Sequence, residues 1–152
     1  LWRSAVKYVF EEFVSSLQTA QASFEDQCPK SRFSEMIRIY VRHAARNPAL
    51  HKIVLQESSQ QGERLEWLSE NFLKPLSDAA SRYIVELQKQ GVAPQGDPLI
   101  IYNMVRVSSG TLIALALELQ TTSGLDIRQP EKLDELADLI VRIFLPGEPA
   151  DS

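Results

Sequence analysis

The stretch Leu99–Leu119, LIIYNMVRVSSGTLIALALEL, decides the fold class. Asp97 and Pro98 stand before it; proline suits the first helical position, and an aspartate just ahead can cap the free amides. Apolar residues then recur every three or four positions, which is helical spacing. One row runs Ile101, Val105, Ser108, Leu112, Leu115 and Leu119, and a second runs Tyr102, Asn103, Arg106, Ser109, Gly110 and Ile113. The only charges are Arg106 and Glu118, so the helix has no polar face and must be covered on several sides. Asn103, Arg106 and Glu118 break it too often for a membrane span, which needs about 20 mostly apolar residues.

The next segment, Pro130–Leu145, carries a continuous stripe of Leu133, Leu136, Ala137, Ile140, Ile143 and Phe144, flanked by Leu139 and Val141. That is more apolar surface than one neighbour covers. These two helices are either the core of a monomer or half of a dimeric four-helix bundle about a twofold axis. On the second reading the seam consists of Ile101, Val105, Ser108, Leu112, Leu115 and Leu119 with Leu136, Ile140, Ile143 and Phe144.

Working upstream, helical spacing predicts segments over 2–27, 31–46, 48–61 and 63–90, and no useful strand alternation occurs. The fold expected is all-α: six helices in an orthogonal or antiparallel bundle, forming one domain over residues 1–152. Pro75 lies inside the fourth segment, where it removes a hydrogen bond and crowds the carbonyl of Asn71, so a kink is expected there. Gly62, Gly91, Gly124 and Gly147 fall between segments, where left-handed helix ends are wanted. Gly110 alone lies inside one.

A chain of 152 residues suits a single domain with a core that needs no staples. The single cysteine, Cys28, excludes an internal disulfide framework and multi-cysteine metal sites, and fits a reducing, cytoplasmic compartment. A net charge of −4 argues against a chain built wholly to bind nucleic acid. The opening LWRSAVKYVF has no basic region followed by an apolar core, so no secretory signal is expected. The chain does not begin with methionine, which raises the expectation of a fragment.

No nucleophile elbow, phosphate-binding glycine loop or paired-histidine zinc motif occurs, so the sequence gives no reason to expect an enzyme. His43, His51 and Glu57 lack the spacing of ligands on one helical face, and neither a metal nor a cofactor is expected. Arg38, Arg42 and Arg46 recur every fourth residue, a pattern expected to be a solvated face paired with nearby acids. The informative set is spread over several helices. Phe10, Phe13, Leu17, Phe33, Tyr40, Leu55, Trp67, Phe72 and Tyr102 offer apolar walls; His51, Glu57, Asn103 and Arg106 offer polar groups on otherwise apolar helices. Apolar walls with a few placed polar groups describe a small-molecule pocket. Arg106 in a buried helix needs a partner, and Glu57 is the candidate. Such a lining suits a hydrophobic anion, such as an aromatic or fatty carboxylate, or else a planar drug-like compound.

The segments Asn47–Glu57 (NPALHKIVLQE), Arg64–Leu68 (RLEWL) and the Gln90-Gly91 break before Asp97-Pro98 resemble the C-terminal region of tetracycline-repressor (TetR) family regulators. The closing Leu139–Gly147 is similar to that family's last helix, and Leu1–Val6 to the start of the helix after its DNA-binding domain. The resemblance extends over nearly the whole chain. It implies an effector-binding and dimerising domain of a bacterial regulator, a repressor by expectation, with the last two helices pairing across a twofold axis. It also implies operator DNA as a partner only through an N-terminal helix-turn-helix domain that this chain lacks. A helical small-molecule-binding protein or enzyme without such a domain is the alternative, and a purely structural dimerisation module is a third reading.

Overall fold

Each stretch with helical spacing is helical in the computed structural model, which describes residues 1–148. Helix α1 spans Trp2–Ala22, α2 Pro29–Arg46 and α3 Ala49–Glu57. Helix α4 (Glu63–Leu68) leads through a π-helical turn (Ser69–Leu73) into α5 (Lys74–Lys89). Helix α6 (Pro98–Arg106) leads through a second π-turn (Val107–Thr111) into α7 (Leu112–Ala114) and α8 (Ala116–Ser123), and α9 is Pro130–Phe144. The fold is all-α, with no strand among the described residues.

The local signals act unevenly. Asp97 caps α6, its Oδ1 accepting from the Leu99 amide at 2.9 Å. Asn47 and Gln129 make no such bond. Helix α1 stops five residues short of the expected Gln27, because the Ser23 hydroxyl and amide both turn back onto the Ala20 carbonyl. Gly91 and Gly124 are left-handed (φ 72° and 74°), whereas Gly62 and Gly147 are not.

The fourth and fifth segments are interrupted, and the interruptions matter. The Lys74 amide bonds to the Ser69 carbonyl, and the Leu112 amide to the Val107 carbonyl, so each turn holds one extra residue. The irregularity near Pro75 lies just upstream of it, in the wider turn of Ser69–Leu73. The fifth segment is not one rod. It bends by 72° at Leu115, between α7 and α8. Among the described residues no single helix is long and apolar enough to cross a membrane.

Three apolar clusters form the core. Helix α2 packs against α9 around Ile37, Val41, Val105, Ala137 and Ile140. Helix α1 packs against α3 and α4 around Val6, Phe10, Phe13, Leu50 and Leu68. Helices α5 and α6 meet the chain's end around Ile84, Leu87, Ile101 and Leu145.

Within the single chain, the residues of the expected seam divide between buried, partly buried and exposed positions. Ile101, Val105 and Ile140 are buried within the chain, and Leu112, Leu119, Leu136 and Phe144 pack against the α2–α9 core. Ser108 is half-buried and bonds back to the Met104 carbonyl at 2.7 Å. Of the expected row only Leu115 and Ile143 stay exposed. The uncovered row is the neighbouring one: Ile100 (60% exposed) and Met104 (50%) on α6 and Val107 (48%) at the start of the second π-turn, with Leu139 and Ile143 on α9. Periodicity identifies apolar rows but not which of them the same chain covers, and the extra residue in the second π-turn rotates everything after it.

Candidate functional site

The aromatic residues expected to line a cavity pack on one another instead. Phe10 stacks on Phe72 with ring centroids 4.6 Å apart, and Trp67 sits edge-on to Phe72 at 5.6 Å. Leu17 packs against the same cluster. Trp67 also meets Trp2 at 5.7 Å; Arg3 lies over the Trp67 ring and Arg64 over that of Trp2. These stacked pairs tie the first turn of α1 to α4. Leu55 is 44% exposed and outside the cluster. Phe33 belongs elsewhere, against Tyr83 at 5.6 Å.

Behind this cluster lies a buried polar group. Tyr40 and His51 meet at 3.4 Å between the hydroxyl and Nδ1, and both pack edge-on to Phe13. His43, on a different helix from His51, reaches the same phenyl ring at 5.2 Å. Burial disfavours the imidazolium and holds His51 down at about 4, with the charges of His43 and Arg106 adding to the effect. Burial also lowers His43 and raises Tyr40. Gly110, in the second π-turn, presents bare backbone here: a Cβ would stand 2.6 Å from the Tyr40 hydroxyl and overlap the His51 ring.

Beside that group a cleft of about 280 Å³ opens, lined by Ser69, Leu73, Lys74, Ser77, Tyr102, Asn103 and Arg106. The first π-turn supplies Ser69 and Leu73, and Arg106 stands just before the second. Arg106 does not pair with Glu57 as expected. Its Nε donates to Asn103 Oδ1 at 3.1 Å, while Glu57 ends α3 facing Arg64 at 3.7 Å. The Arg106 charge also acts on Tyr102, Tyr40 and His51, opposing the burial that raises the two tyrosines and adding to the burial that lowers the histidine. A second hollow of about 360 Å³ holds Lys30 and Arg38, whose charges are already answered by Glu148 at 2.9 Å and Asp138 at 2.6 Å. The basic row of α2 behaves as expected: Arg38 and Arg42 pair with Asp138 and Asp134 of α9.

Tyr102, Asn103 and Arg106 are therefore brought together in one cleft, Tyr40 and His51 form a buried pair that does not line it, and Phe10, Phe13, Leu17, Trp67 and Phe72 are packed core. Sequence reasoning missed Ser69, Leu73, Lys74 and Ser77. Positions 69, 73 and 77 recur every fourth residue beside Pro75, a short mixed row that reads as solvated helix surface. Compared with protein-family models and with curated proteins, the chain gives no match.

Proposed function

We propose that this chain is the effector-sensing and dimerising domain of a cytoplasmic transcription regulator resembling the tetracycline-repressor family, acting as a repressor. The observation that carries the reading is an uncovered apolar row: Ile100 and Met104 on α6, Val107 at the start of the second π-turn, and Leu139 and Ile143 on α9, a helix that packs on α6. Two adjacent helices with such rows pair with their own twofold copies to make a four-helix seam. A small molecule in the cleft contacts the first π-turn, which continues directly into α4 and Trp67. Trp67 grips Trp2, where a DNA-binding domain joins α1 on this reading. An effector that favours one setting of that turn changes the tilt of α1, and with it the separation of the two reading heads. Coupling of the usual size changes operator affinity about 5- to 150-fold.

The test is the coding sequence upstream of Leu1. A segment patterned as a helix-turn-helix is expected there. An unrelated domain, or none, contradicts the reading.

A further inference from the structure

Resting on the reading of the cleft as an effector site, we propose that it takes a small organic monocarboxylate, with the carboxylate on Arg106 and Lys74 and the apolar body on Leu73 and Tyr102. The cleft contains two cationic side chains and no acid. Among the described residues, neither Arg106 nor Lys74 has a carboxylate within 4.0 Å. Arg106 spends its Nε on Asn103, and its terminal nitrogens have no partner among the described residues.

The groups behind Arg106 do not answer its charge either. Tyr40 and Tyr102 are kept protonated by burial, and His51 is kept neutral. A half-buried cation without a counter-charge favours an anion, and a guanidinium fork matches a planar carboxylate. Lys74 is exposed and solvated, so only one charge here calls for neutralising, which selects a monoanion. Ser69 and Ser77 add hydroxyls that make no side-chain hydrogen bond among the described residues. At about 280 Å³ the cleft lies just below the range of roughly 300–1,000 Å³ typical of ligand sites, so the ligand is small. The first π-turn lines the cleft with Ser69 and Leu73, and such turns gather at functional sites.

The experiment is calorimetric titration of the whole chain at low salt with benzoate, benzamide and phenyl phosphate. Benzoate is expected to bind saturably, and neutral benzamide more weakly by about tenfold or more. Arg106→Gln weakens benzoate binding about ten- to a hundredfold. Lys74→Gln, an exposed change that leaves the fold intact, weakens it less and flattens its salt dependence. Absence of benzoate binding, equal binding of benzamide, tighter binding of phenyl phosphate, or indifference to Arg106→Gln in a folded variant overturns the assignment. Sedimentation separates the two ideas. A dimer without benzoate discrimination ends the ligand assignment alone, and a monomer ends the sensor reading, whatever the cleft binds.

Discussion

His51 is 5% exposed, and its Nε2 is buried with no hydrogen-bond partner among the described residues. Charging it inside the fold is costly, which holds its proton affinity down at about 4, against about 6.5 in an unfolded chain. Between those values the unfolded chain binds more protons than the folded one. Stability from this group is therefore complete above about pH 6.5 and is lost as pH falls toward about 4. The span corresponds to roughly 3 kcal/mol, and the lowered His43 adds to it with the same sign. Urea unfolding compared at about pH 7 and about pH 5 is expected to show about 2 kcal/mol of this loss, with His51→Gln removing most of it and His43 leaving a remainder. A pH dependence unchanged in His51→Gln contradicts the account. The sequence marks both histidines as polar residues on otherwise apolar helices. That they share Phe13 depends on how α2 and α3 cross, which spacing along one helix does not encode.

The two π-turns decide the site at the scale of the elements. Each adds a residue and turns the following side chains to a new face; the first supplies Ser69 and Leu73 to the cleft, and Arg106 stands just before the second. The second also admits Tyr40 and His51 against Gly110, a close approach that only a missing Cβ permits. Alanine there gains about 1 kcal/mol of helix preference but overpacks the contact at a cost of typically 1–3 kcal/mol. Gly110→Ala is therefore expected to lower the urea midpoint, and Tyr40→Phe in the same chain to restore part of the loss by removing the hydroxyl. A Gly110→Ala protein as stable as the original contradicts the packing described. Helix positions were legible from the sequence because apolar spacing and the Pro98 and Pro130 starts are local signals. The bend at Leu115 and the π-turns were not, since both depend on what packs against the backbone. Pro75 and Gly110 marked the right neighbourhoods without showing the form of the irregularity.

At the scale of the molecule, the surplus of apolar surface on the last two helical stretches was legible, and the row that carries it was not. Ile101, Val105 and Ile140 complete the chain's own core, while the adjacent row on α6 and the outer edge of α9 remain uncovered. Covering one such side chain fully is worth about 1.5–3 kcal/mol, and association costs about 4–15 kcal/mol. Rows on both helices are needed, and both are present. Sedimentation velocity of the purified chain at micromolar concentration is the direct measurement. The account predicts a particle of twice the single-chain mass, and a monomer of unchanged helicity once Met104→Asp and Ile143→Asp are introduced together. Sedimentation of the unaltered chain as a single copy would contradict it.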